Sequence, residues 1–311
     1  MTTVNFNDLF VSRLIAELPS SLEALVRSVM QNQIVHLNLS DNAFGPRGIP
    51  AFDFLFKAMP SLKTLKITNC GLGPEGGEMI AAALAENKEL RLAHFSAGRD
   101  RLENKGITAI AGVLGGHMAG SLEVIEVPQN GIKKDGMMAL LEALKANASS
   151  LREVYLHDNW IKQQAIDRLV EFVLKAERLE RLNISDSTMG TAGVLLLAKA
   201  ISTNPALGKS LKYFGSNYNE VESSKVSKRI LDIFLSDLFE VLETLEFRGN
   251  SLGRKAAQEY IAKFEAKGCK LVFFDEEEED DEDADEDDED DDAEEGADED
   301  DLIAKLEKLK I

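Results

Sequence analysis

One phrase recurs along this 311-residue chain. It reads LNLSDNAFG at 37–45, LKITNCGLG at 65–73, VIEVPQNGI at 124–132, VYLHDNWIK at 154–162, LNISDSTMG at 182–190 and LEFRGNSLG at 245–253. Weaker copies stand between these, HFSAGRDRL at 94–102 and FGSNYNEV at 214–221. Anchored on the slot of Asn42, the series runs Asn42, Cys70, Asp100, Asn130, Asn159, Ser187, Asn219, Asn250, in steps of 28, 30, 30, 29, 28, 32 and 31. A period this constant confines the chain to architectures in which one supersecondary unit stacks on the next.

Each copy opens with apolar alternation, as in Leu37 and Leu39 or Leu65 and Ile67, which places both side chains on one face of a short strand. A helical pattern follows. Met137, Leu140, Leu141 and Leu144 fall at i, i+3, i+4 and i+7, one buried stripe. Gly-Pro pairs at 45–46 and 73–74 open two of these helices, since proline suits an early helical position. The anchor has a mechanical role. A turn buried between stacked coils hides backbone groups from water, and a short polar side chain satisfies them. Strands stack in parallel at about 4.8 Å while wider helices lie outside, so the expected fold is an α/β leucine-rich-repeat horseshoe. Its long, helix-bearing repeat resembles that of ribonuclease inhibitor. Residues 1–274 would hold about nine strand-helix repeats. The earliest copy is VNFNDL at 4–9, with Leu9 in the anchor slot and no N-terminal cap in view.

The net charge of −20 is concentrated in residues 275–301, where 23 of 27 positions are Asp or Glu; setting those 23 aside leaves +3 on everything else. Such a segment buries too little apolar surface to offset its ordering entropy and is expected to be disordered. It either solubilises the chain or attracts a basic partner at long range. Residues 302–311, LIAKLEKLKI, would form a short amphipathic helix with Leu302, Ile303, Leu306 and Leu309 on one face. The overall acidity argues against nucleic-acid binding, and no apolar run is long enough to span a membrane. Cys70 and Cys269 read as free thiols. The four histidines lack metal-ligand spacing.

GLGPEG at 71–76 satisfies the glycine pattern of a dinucleotide loop. It is one instance of a turn repeated as AFGPRG at 43–48, so the repeat explains it better than a nucleotide does. No phosphate-binding lysine loop and no nucleophile elbow occur. The strand-to-helix turns are the informative surface. They would align Arg13, Asp41, Asn69, Arg99, Arg101, Gln129, His157 and Asp158 along one rim, a row able to meet a flat protein face. Gln129 and Asp158 are expected to bind a partner from this row.

At these turns FVSRLIAELP at 10–19, LSDNAFGP at 39–46, TNCGLGPEGG at 68–77, AGRDRLEN at 97–104 and PQNGI at 128–132 resemble, in order and spacing, the signature stretches of the Ran GTPase-activating protein family. An acidic segment after the last repeat is also a family feature. Ser12 stands where the family favours glycine, and Ile15 where it favours a basic residue. The resemblance implies an activator that binds Ran-GTP through its rim and stimulates hydrolysis by bracing the GTPase's own machinery, without an active site of its own. It implies that Arg13 is the family's essential arginine and that Asn69 contacts the GTPase switch region. It places Asp41, Arg99 and Arg101 at the interface. No cofactor is expected on this chain, with GTP and Mg on the partner. A Ran-binding helper protein is a further expected partner. A monomer in the cytoplasm or at the nuclear envelope, supporting nucleocytoplasmic transport, completes the expectation. The alternative is an interaction scaffold without activator activity. It resembles the acidic leucine-rich nuclear phosphoproteins that bind histones, whose repeats are shorter.

Overall fold

The computed structural model describes residues 2–10, 15–17, 20, 21, 25 and 33–275. The expectations for 276–301 and for the helix at 302–311 lie outside them. The described chain falls into two compact units, one up to Trp160 and one from Ile161.

The first unit carries strands β1 (Thr2–Asn5), β2 (Ile34–Asn38), β3 (Thr64–Lys66), β4 (His94–Ser96), β5 (Val124–Glu126) and β6 (Glu153–Tyr155). Each pairs in parallel with the next, and the register sets Val4, Leu37, Leu65, Phe95, Ile125 and Val154 in one buried row. The helices are α1 (Gly45–Gly48), α2 (Asp53–Ala58), α3 (Gly73–Glu86), α4 (Glu103–Leu114) and α5 (Lys134–Ala146). The stripe Met137, Leu140, Leu141, Leu144 is buried on α5. Pro46 and Pro74 sit in the first turns of α1 and α3, where no backbone N–H is needed. Between α1 and α2 the chain tightens into a 3-10 turn, Ile49–Ala51, because Pro50 has no N–H to continue an α-helix. A run of rings, Phe6, Phe10, Phe44, Phe52 and Phe56, links the first two coils at centroid distances of 5.0 to 6.2 Å.

The second unit repeats the plan with β7 (Arg181–Asn183), β8 (Tyr213–Gly215), β9 (Thr244–Glu246) and β10 (Lys270–Val272), all parallel. Its helices are α6 (Gln164–Lys175), α7 (Gly190–Thr203), α8 (Pro205–Ser210), α9 (Ser224–Leu235) and α10 (Arg254–Ala266). The 32-residue step from Ser187 to Asn219 accommodates α8. Asn204 caps that helix, its Oδ1 accepting from Ala206 N at 3.0 Å.

Two kinds of buried polar side chain hold the coils within each unit. In the anchor column, Asn130 Oδ1 accepts from the amides of Asp100 and Leu102, while its Nδ2 donates to the carbonyls of Ala97, Val127 and Pro128. Asn42, Asn159, Asn219 and Asn250 work alike. Leu9 departs from the pattern. Its amide donates to Asn42 Oδ1, but its side chain is 48 % exposed, and Phe10 enters the core in its place. The second kind, Asn87 and Asn147 in the first unit and Asn204 in the second, stands at helix ends. Their amides donate to the carbonyls of Phe56, Leu114 and Val173, satisfying helix ends of the preceding coil.

Candidate partner-binding rim

Immediately before each anchor the backbone turns left-handed. Asp8 (φ 55°) shares the conformation although Leu9 after it is exposed; from Asn42 on, these residues in the first unit are Asp41 (59°), Asn69 (58°), Arg99 (54°), Gln129 (55°) and Asp158 (57°). The cause is the anchor itself. A side chain that must point inward between coils forces the preceding residue to reverse the chain and face outward. Asp and Asn tolerate this conformation; arginine and glutamine adopt it at about 1–2 kcal/mol each.

Backbone bonds hold the column in step. Asp41 N donates to Thr68 O at 2.9 Å, Asn69 N to Gly98 O at 2.8 Å, Arg99 N to Pro128 O at 2.9 Å and Gln129 N to His157 O at 3.1 Å. Five residues singled out from sequence, Asp41, Asn69, Arg99, Gln129 and Asp158, therefore stand on successive turns. Asn69 and Asp41 are joined directly, Asn69 Nδ2 donating to Asp41 Oδ1 at 2.8 Å. That bond fixes the Asn69 amide with its carbonyl oxygen turned away from Asp41. Arg101 belongs to a second column, two residues further along each turn, with φ 54°. Arg99, Arg101, Gln129 and Asp158 are exposed, and His157 is half-buried. Arg13 lies outside the described residues.

Between the two arginines lies Asp100, the one carboxyl in the anchor column. Its Oδ1 accepts from Cys70 N at 2.7 Å, and its Oδ2 is buried without a hydrogen-bond partner. Burial pushes its pKa up to about 7, against the lowering effect of the Cys70, Leu72 and Gly71 amides. Cys70 fills its own slot as a donor, Sγ to Leu39 O at 3.2 Å, and burial raises its thiol to about 12. Such a thiol is an inert structural group.

Sequence reasoning found the column through its anchors but missed Trp160. It is the chain's single tryptophan and is 52 % exposed beside Asp158. The signal was available as an aromatic residue directly after an anchor, where the coils from Asn42 on otherwise carry Ala43, Gly71, Arg101 and Gly131 in this unit.

Parallel strands, outer helices and a ladder of buried amides define a leucine-rich-repeat protein that presents an ordered row of polar side chains at its turns. The family model described as Leucine Rich repeat matches residues 32–52 and 58–81. The chain is similar to several proteins named as Ran GTPase-activating proteins. It is 31 % identical to Ran GTPase-activating protein 1 of Saccharomyces cerevisiae over 261 residues, 81 % of this chain and 63 % of that one. It is 41 % identical to Ran GTPase-activating protein 1 of Xenopus laevis over 140 residues, 41 % of this chain and 24 % of that one. With the Ran GTPase-activating protein of Drosophila melanogaster it shares 37 % over 154 residues, 46 % of this chain and 26 % of that one. It thus spans less than two thirds of the length of each. Among the described residues no helix is long and apolar enough to cross a membrane.

Proposed function

We propose that this chain binds the GTP-bound form of Ran through the left-handed column and accelerates its GTP hydrolysis in the cytoplasm, supporting transport between nucleus and cytoplasm. The observation that carries the reading is the Asn69–Asp41 pair, an amide held by a neighbouring coil at 2.8 Å on an exposed rim, its two residues in stretches that resemble the family. A pre-set amide braces a mobile switch loop at small entropic cost, because neither the side chain nor its backbone has to be ordered on binding. Arg99 and Gln129 continue the same edge, and their strained backbone fits a surface kept for contact rather than for stability. GTP and its magnesium ion belong to the partner, whose own glutamine positions the attacking water.

The test is single-turnover GTP hydrolysis by Ran. Wild type should accelerate it, by up to about 10⁵-fold as GTPase activators do. Asn69→Ala and Arg13→Ala should each remove most of that gain while the circular-dichroism melt of Asn69→Ala stays within a few degrees of wild type. Hydrolysis at the intrinsic rate with wild type present would defeat the reading.

A further inference from the structure

The second column of the first unit is made of the residues directly after each anchor from Asn42 on: Ala43, Gly71, Arg101, Gly131 and Trp160. Gly131 is left-handed, at φ 65°, and a Cβ built on it would meet nothing within 4 Å. The rim is therefore notched at Gly131, with Arg101 one coil before and Trp160 one coil after. Trp160 departs from its column. Its φ is not positive, and its amide turns back to donate to Ile132 O of the preceding coil at 2.9 Å. That bond leans the indole over the same loop, where Lys133 Nζ stands 5.0 Å from the ring centroid. Lys133 is in turn held through its backbone, its N–H donating to Asn104 Oδ1 at 2.8 Å. A large apolar ring is thus kept half in water by two fixed neighbours, at the end of the row that includes Asp158.

We propose that Trp160 is an additional docking anchor for the GTPase partner, receiving an apolar side chain of that partner beside the Gly131 notch. The proposal rests on the functional reading above. Continuity with the Asp41–Asp158 column selects the occupant, since a flat protein face laid on that column reaches Trp160 next. Trp160 has the character of an interface hot spot: it carries the most area for the fewest rotatable bonds, and its backbone is already placed.

The single tryptophan makes the test direct. The full chain labelled with 5-fluorotryptophan should give one ¹⁹F resonance. That resonance should shift saturably at one equivalent of Ran carrying a non-hydrolysable GTP analogue, and much less with Ran carrying GDP. Trp160→Ala should raise KM for Ran-GTP by about 10- to 30-fold while kcat is retained, as expected for a binding anchor, and Trp160→Phe should recover part of the loss. An unmoved resonance, or an unchanged KM in Trp160→Ala, alongside normal acceleration overturns the proposal and leaves the activator reading standing. Absence of acceleration by wild type overturns both.

Discussion

Asp100 occupies a slot that every other coil from Asn42 on fills with a donor. Asn130 and Asn159 each give two protons to buried carbonyls of their own and the preceding coil, and an ionised carboxylate has none to give. A proton on Asp100 removes a buried charge, which is why its pKa rises to about 7, and it also gives the slot a donor. The linkage follows from the sign of that shift. Between the ordinary carboxyl value near 4 and the folded value of about 7, the folded chain holds the proton and the unfolded chain does not. The stabilisation from this group is fully present below about pH 4 and lost as the pH rises through 7. It amounts to a few kcal/mol, at roughly 1.4 kcal/mol per unit. Asp100→Asn should therefore gain stability over wild type at pH 8 and gain little at pH 5, read as urea midpoints at the two values. Parallel profiles for the two proteins would refute the account. The same site shows a limit of sequence reading. The period of the anchors placed Arg99 and Arg101 on the rim, but nothing in their residue type announces a left-handed backbone, which arginine ordinarily avoids. The neighbouring carboxyl imposes it.

Strands and helices were largely legible because each copy restates the same alternation and the same apolar stripe. What the repeat obscured were the elements peculiar to one coil: the break at Pro50, the added α8, and the exposure of Leu9. Each is decided by packing against a neighbouring coil, which a pattern read along the chain does not contain. The helix-end asparagines Asn87, Asn147 and Asn204 were missed for a related reason. They recur in only some coils, at helix ends where asparagine is common on local grounds. Helix spacing has its own control. A Cβ on Gly77 of α3 would lie 2.6 Å from Gly106 Cα of α4 and 3.0 Å from Leu102 Cδ2, so the two helices touch through bare backbone. Gly77→Ala should destabilise the protein by about 1–3 kcal/mol. Gly112, exposed on α4 with open space around it, provides the contrast. There alanine should be neutral or stabilising by up to about 1 kcal/mol. Thermal melts of the two variants in parallel test the pair, and equal midpoints would contradict close helix contact.

Across the whole molecule, charge and recognition are assigned to different parts of the chain. The acidic stretch opens at Asp275, and that residue is held. Tyr218 Oη donates to Asp275 Oδ2 at 2.6 Å, and Arg248 Nε stands 3.6 Å from Oδ1 while donating to Phe274 O at 3.3 Å. Tyr218 is the left-handed residue of its own turn, φ 50°, so the acidic stretch starts from the turn edge of the second unit. If its charge steers a basic partner, removing residues 276–311 should lower kcat/KM for Ran-GTP several-fold at low ionic strength and flatten its dependence on salt. Identical salt profiles for the full and shortened chains would reduce the segment to a solubilising role. The left-handed position recurs with Asp, Asn, Arg, Gln and Tyr in it, and from Asp41 on an inward neighbour secures the turn. Chassis and lettering are thereby uncoupled: the outward residue of any coil can be respelled without disturbing the stack, so a new vocabulary of contacts is open to this scaffold one turn at a time.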